Sequence, residues 1–202
     1  NHEDKGGFVL EWAGDVLACD PGRHRFAGSP AAALVKHVEL HNMLAPYGEF
    51  PERPHPELPH PTQPWSAGIT AEGTGDESRF QARVDAVRGF EAYFNRWTRT
   101  YESPAPDRFT VTDDYAVAQG DGVDFFWQTT GQVEIGGGTV RIRARRGGCV
   151  LTLPPETSAT VEVVAEEAAA EGAPPVVHRR VRIRRPGREG KLSIHVQLLL
   201  ES

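Results

Sequence analysis

The chain has 202 residues, with 28 acidic side chains against 22 Lys and Arg and a formal net charge of −6. That balance argues against a nucleic-acid partner, because neutralising phosphates needs a basic surface. Hydrophobic residues make up 39%, enough for a core. No apolar run approaches the roughly 20 residues of a membrane helix, so no membrane partner is expected.

The first element is a β-hairpin. Gly7 to Trp12 and Asp15 to Cys19 are short apolar-rich runs separated only by Ala13-Gly14. Two strands joined by so short a turn must pair antiparallel, which brings their far ends together. His2 lies just before the first strand and Asp20 just after the second, so the hairpin sets an imidazole beside a carboxylate. His41, followed by Asn42, is a third candidate. Two His and one Asp with an open fourth position form an acceptable set for a first-row metal, and zinc is the default.

Residues 31–44 read two ways. A helix beginning at Ala31 would put His37 and His41 on one face at i and i+4, itself a metal-binding spacing. A strand would put His37, Glu39 and His41 on one face and Val38 and Leu40 on the other. A strand from about Val38 to Leu44 is the expectation, with His37 a bystander.

Residues 51–64 hold six prolines. Proline removes ladder donors and fixes φ, so an extended, irregular surface loop is predicted, with His55 and His60 exposed. From Trp65 onward the pattern is almost wholly β. Residues 78–86 alternate Phe80, Ala82 and Val84 with polar side chains, as a half-buried antiparallel strand should. Residues 92–102 place Tyr93, Asn95, Trp97, Arg99 and Tyr101 on one face. A turn at 104–107 leads to a return strand over 108–112. Further strands are predicted over 123–129, 132–135, 139–144, 148–153, 161–164, 176–184 and 191–200. Gly136-Gly137-Gly138 joins two strands and precedes no helix, so it is a turn and no phosphate cradle. Residues 166–173 read as a helical turn or a loose loop.

Many short strands with turns between them, and hardly a helix, indicate an all-β fold: a large antiparallel β-sandwich with a Pro-rich surface loop. No composition shift marks an internal boundary, so residues 1–202 are expected to form a single domain. Cys19 and Cys149 both fall in apparent core strands and read as buried free thiols. Arg141, Arg143 and Arg145, like Arg180, Arg182 and Arg184, alternate with apolar residues. Each set reads as the solvated face of a strand, with a contact surface for anionic glycan as the alternative. Tyr47, Tyr93, Tyr101 and Tyr115 read as core or interface aromatics.

The run Asn1-His2-Glu3-Asp4-Lys5-Gly6-Gly7-Phe8, then Leu17-Ala18-Cys19-Asp20-Pro21-Gly22, then His41-Asn42, resembles the heparinase II/III-like domain of bacterial polysaccharide lyases. That family shows a His-Asn-His-x-Asp-x-Gly-Ser-Phe run, a Leu-Ala-x-Asp-x-Gly strand end and a later His-Asn pair. Weaker similarity continues through Arg99 and the stretch from Pro106 to Asp113. Gly7 stands where the family has Ser. The first His of the family's run, catalytic in characterised members, would precede Asn1, which is therefore the residue nearest the catalytic position.

The resemblance implies the β-sandwich part of a larger lyase, with an N-terminal helical toroid as partner and an acidic polysaccharide as substrate. It implies β-elimination on a uronic-acid-containing chain: a base removes the C5 proton, the neighbouring carboxylate is neutralised, and an acid protonates the departing oxygen. It further implies that His2, Asp20 and His41 hold a structural zinc, with Asp4 and Asn42 in support. No catalytic base is assigned, and the chain alone is expected to be inactive. Periplasmic or secreted location is implied by the family, since the sequence shows no address. Two other readings stand beside this one. In the first, the chain is a non-catalytic carbohydrate-binding or packing module whose Trp65 and Trp127 stack on sugars. In the second, it is a small cupin-like metalloenzyme using the same His2, Asp20 and His41.

Overall fold

The structure is a computed structural model and describes residues 6–20, 37–49, 70–76, 79–87, 90–167 and 174–201. Fourteen strands lie within them. They are β1 (Leu10–Trp12), β2 (Asp15–Ala18), β3 (Leu44–Tyr47), β4 (Thr70–Gly75), β5 (Phe80–Asp85), β6 (Phe94–Ala105) and β7 (Arg108–Val117). After these come β8 (Gly122–Thr129), β9 (Gln132–Gly136), β10 (Thr139–Arg143), β11 (Gly147–Thr152), β12 (Ser158–Glu167), β13 (Val176–Pro186) and β14 (Glu189–Leu200).

They form an eight-stranded sheet in the order β4-β5-β6-β7-β14-β11-β10-β9, a four-stranded sheet in the order β12-β13-β8-β3, and the β1-β2 hairpin. All pairings are antiparallel. The two large sheets share one core. Trp97, Val111, Leu192 and Ile194 from the larger meet Phe125, Trp127, Val181 and Ile183 from the smaller, all buried. The expected β-sandwich is therefore present. Its alternation follows the pleat, which sends successive side chains to opposite faces. Every second residue of β7, from Phe109 to Val117, is buried.

The hairpin closes one side of the sandwich by touching both sheets. Its turn holds Ala13 at φ 53° and Gly14 at φ 80°, the paired left-handed residues that a two-residue loop needs to match strand twist. Trp12 Nε1 donates to Leu199 O at 3.0 Å, and the Asp15 carboxylate accepts the Gly147 N–H at 2.9 Å, fixing the turn end to the larger sheet. Trp127 Nε1 donates to Leu17 O at 3.0 Å, and Cys19 N–H donates to Gln128 O at 2.9 Å, fixing β2 to the smaller one.

Three expectations need correction. The strand over 38–44 is a single 3-10 turn, Val38–Leu40, followed by a corner, and pairing with β8 begins only at Leu44. The cause is local. Leu40 N–H bonds His37 O and His41 N–H bonds Val38 O, so the chain coils once and cannot offer those groups to a sheet. His37, Glu39 and His41 therefore share no strand face, and residues 37–41 form no α-helix; residues 31–36 lie outside the described residues. The turn after β6 is confined to Pro106-Asp107, because pairing continues through a bulge to Ala105. Residues 166 and 167, expected in a loop or helical turn, continue β12, while 168–173 are outside the described residues. So are the Pro-rich loop over 51–64, His55, His60 and Trp65.

Cys19 and Cys149 are buried free thiols. Val140, Ile142, Val181 and Ile183 are all fully buried behind their arginines, as expected. Those arginines are largely neutralised: Arg141 pairs with Glu201 at 2.9 Å and Arg143 with Glu134 at 3.0 Å. Arg180 pairs with Glu162 at 3.0 Å and Glu39 at 3.3 Å, and Arg184 clamps Asp124 through two bonds of 2.8 and 2.7 Å. This favours a solvated structural face over a cationic glycan track. Among the described residues, no helix is long and apolar enough to cross a membrane.

Candidate functional site

At the open end of the hairpin, His41 Nδ1 lies 3.0 Å from Asp20 Oδ2. The His41 side chain is fully buried, whereas that of Asp20 is 37% exposed, so the carboxylate forms the solvent side of the pair. His2, Asn1 and Asp4 lie outside the described residues. Among the described residues, no group of three or more His, Cys, Asp or Glu side chains is placed to hold a metal. Two of the three expected ligands are thus adjacent.

The two described members of the expected donor set are of the kinds that zinc takes. Ligand atoms about 2.0–2.2 Å from a tetrahedral ion stand roughly 3.4 Å from one another, so the 3.0 Å N···O separation is that of a hydrogen bond, and a shared ion would need the two atoms to part by about 0.4 Å. An imidazole and a carboxylate are both ordinary zinc ligands.

Asn42 explains why these ends converge. Its Nδ2 donates to Phe8 O at 2.7 Å and Cys19 O at 3.0 Å, one carbonyl from each arm of the hairpin. Its Oδ1 accepts the Gln128 N–H at 2.7 Å. Gln128 returns the favour through Nε2, which donates to Glu39 O at 2.9 Å. One amide side chain therefore ties together the segment before β1, the end of β2 and the edge of β8. It sits directly after His41 and holds the residue directly before Asp20.

Beneath Asn42 lies a buried ion pair. Arg99 on β6 and Asp113 on β7 are cross-strand neighbours, and neither has any exposed side-chain surface. The contact is bidentate, Nε to Oδ1 at 2.8 Å and Nη2 to Oδ2 at 2.9 Å, and Trp97 Nε1 also donates to Asp113 Oδ1 at 2.7 Å. The guanidinium lies between the sheets, 5.4 Å from the Trp97 ring centre and 5.3 Å from that of Phe125. Burial alone would pull the Arg99 pKa down; the adjacent Asp113 carboxylate more than offsets this and holds it above its usual value. Nη1 points away from Asp113 and donates to Gly6 O at 2.9 Å and Asn42 O at 2.8 Å. The Tyr101 hydroxyl donates to the same Gly6 carbonyl.

An ion pair in such a place is not explained by stability. Replacing a buried pair with apolar side chains of similar volume is often neutral or stabilising by about 1–4 kcal/mol, because desolvation offsets the attraction. What apolar residues could not supply is the two N–H groups that grip the carbonyls of residues 6 and 42.

Arg99, Asp113 and Gln128 were not singled out as site residues by sequence reasoning. A signal existed: Arg99 shares its face with Trp97 and Tyr101, and Asp113 shares its face with Val111 and Tyr115. Opposite charges on the inward faces of two adjacent strands mark a buried pair. The tyrosines behave as expected: Tyr93, Tyr101 and Tyr115 are buried, and Tyr47 is half-buried under Arg184, whose Cζ lies 3.9 Å from the ring centre. Trp127 is fully buried and bonded to Leu17, so it is a core residue and not a platform for sugar.

No protein-family model matches the sequence, and no curated protein matches it significantly. Solved structures do match. The heparan sulfate lyase HepC from Pedobacter heparinus, in a mutant form, superposes with a TM-score of 0.69 at 12% identity, over 100% of this chain and 31% of that one. A heparinase III with methylated lysines gives 0.69 at 12% identity, over 99% of this chain and 30% of its own. Another heparinase III gives 0.65 at 12% identity over the same shares. The described fold is thus a heparinase-like β-sandwich, and the chain spans about a third of the length of the solved structures it matches.

Proposed function

We propose that this chain is the β-sandwich part of a polysaccharide lyase that cleaves a uronic-acid-containing polysaccharide by β-elimination. In this reading His2, Asp20 and His41 hold a structural zinc that organises the strand ends facing the substrate. The observation that carries it is the Asp20–His41 pair at the hairpin base, within a fold shared over the whole chain with heparan sulfate lyase and heparinase III structures.

Chain reach supports the third ligand. The carbonyls of Gly6 and Asn42 both bond Arg99 Nη1, so the backbone around residue 6 runs beside the residue that follows His41. Gly6 lies four chain steps after His2, a stretch that spans at most about 14 Å when extended. The zinc would fix charge and geometry at that corner. Abstraction of the C5 proton and protonation of the leaving oxygen fall to other groups, with Asn1 nearest the catalytic position and the helical domain of the parent as partner. An acidic polysaccharide outside the cytoplasm, in the periplasm or secreted, is the matching substrate and setting.

The experiment is an assay of the parent protein on a panel of uronans, following the near-ultraviolet absorbance of the unsaturated uronate that elimination leaves. The reading expects that chromophore with at least one uronan, and its loss in Asp20→Ala and His41→Ala. Cleavage that yields only saturated ends, or no cleavage of any uronan, contradicts it.

A further inference from the structure

The fork of Arg99 divides its work. Nε and Nη2 are consumed by Asp113, and Nη1 spans Gly6 O and Asn42 O at 2.9 and 2.8 Å. Those two carbonyls belong to segments that share no strand pairing with each other. One leads upstream to His2; the other follows His41. Bidentate anchoring, a fixed plane and full burial leave the guanidinium no freedom, so Nη1 is a rigid spacer between the two segments. Its aromatic neighbours Trp97 and Phe125 hold the plane from both sheets.

We infer that Arg99 is a positioning residue: it sets the register between the N-terminal segment and the His41-Asn42 corner, and through them the spacing of the candidate metal ligands. Its hydrogen bonds to oxygen go to Asp113 and to two backbone carbonyls, not to the side chains of Asp20 or His41. Asn42 works in the same direction from above, so the corner is held by two polar side chains at right places in the chain: Asn42 Nδ2 grips Phe8 O and Cys19 O, and Arg99 Nη1 grips Gly6 O and Asn42 O. As far as it concerns a metal, the inference rests on the zinc reading proposed above; the register itself does not.

Two variants test it. Arg99→Lys keeps a positive charge for Asp113 but cannot reach two carbonyls while holding a carboxylate, since an ammonium lacks the planar fork. Arg99→Met/Asp113→Asn removes both charges and leaves an acceptor for Trp97. Each is measured by amide hydrogen exchange and by zinc titration against a competing chelator. The corner reporters are the amides of Gln128, bonded to Asn42 Oδ1, of Met43, bonded to His41 O, and of Cys19, bonded to Gln128 O. The expected result is at least tenfold faster exchange at these reporters with β14 unchanged, and zinc affinity at least tenfold weaker. Unaltered exchange at the corner in both variants overturns the inference, as does equal loss of protection throughout the sandwich, which would make Arg99 an ordinary core residue. If the unsubstituted chain binds no zinc, the metal reading fails, and the exchange data still decide the positioning role.

Discussion

Asn42 accepts from Gln128 across the gap between the 3-10 turn and β8: Gln128 N–H donates to Asn42 Oδ1 at 2.7 Å, and the Gln128 side chain donates to the carbonyl of Glu39 at 2.9 Å. Three of the buried polar contacts at the hairpin base pass through Asn42 alone. Asn42→Ala strands two carbonyls and an N–H, each worth about 1–3 kcal/mol when buried and unmade. We predict a loss of about 2–4 kcal/mol in urea unfolding. A loss below about 1 kcal/mol would mean that water replaces the amide at no cost.

The Arg99–Asp113 pair gives an asymmetric prediction. Asp113→Ala leaves a buried guanidinium uncompensated and should cost about 3–5 kcal/mol, whereas removing both charges with apolar residues should cost less, the remainder being the lost partners of Asn42 O and Trp97 Nε1. Denaturant unfolding of Asp113→Ala and Arg99→Met/Asp113→Leu checks this. Equal losses in the two would show that packing, not charge, sets the energetics there.

Acid should loosen the hairpin turn. The backbone N–H groups of Arg146 and then Gly147 hold the Asp15 carboxyl below its usual value. A depressed folded pKa means that the contribution is complete above the unfolded value near 3.9 and fades as pH falls through the folded one. The thermal midpoint of Asp15→Asn should therefore lie below that of the unsubstituted chain at about pH 6, and the gap should narrow as acid protonates the Asp15 carboxyl in the folded chain. A gap that persists or widens in acid would contradict this.

Burial pushes the Cys149 thiol up to about 12 and Cys19 is likewise enclosed, so neither should react with a thiol reagent at about pH 8 in the folded chain. Two thiols should appear on unfolding without reductant. Rapid native labelling of either, or none after unfolding, would contradict the free, buried assignment.

Strand positions were most legible where one face is buried, as in β7, β10 and β14, which forces a period of two that residues such as Phe109, Val111 and Tyr115 display. The hairpin was legible from Ala13-Gly14; the consequence drawn from it, His2 beside Asp20, falls on a residue outside those described. The 3-10 turn at Val38–Leu40 was not legible, because Val-Glu-Leu alternates as a strand does. The coil is closed by local bonds that alternation does not display, Leu40 N–H to His37 O and His41 N–H to Val38 O, while Asn42 and Asp20 hold only the corner that follows. Trp127 was misplaced in the binding-module reading because a large aromatic suits a surface platform and a core equally, and only its neighbours decide. The ion pair at Arg99 was legible in alternation, yet it is read correctly only once β6 and β7 are known to be partners.

Zinc titration of the purified chain against a competing chelator, with His2→Ala, Asp20→Ala and His41→Ala beside it, tests the metal site most directly. The account predicts one zinc per chain and at least a hundredfold weaker binding in each of the three variants, with the sandwich still folded by circular dichroism. No binding to the unsubstituted chain, or undiminished binding in His41→Ala, would contradict it.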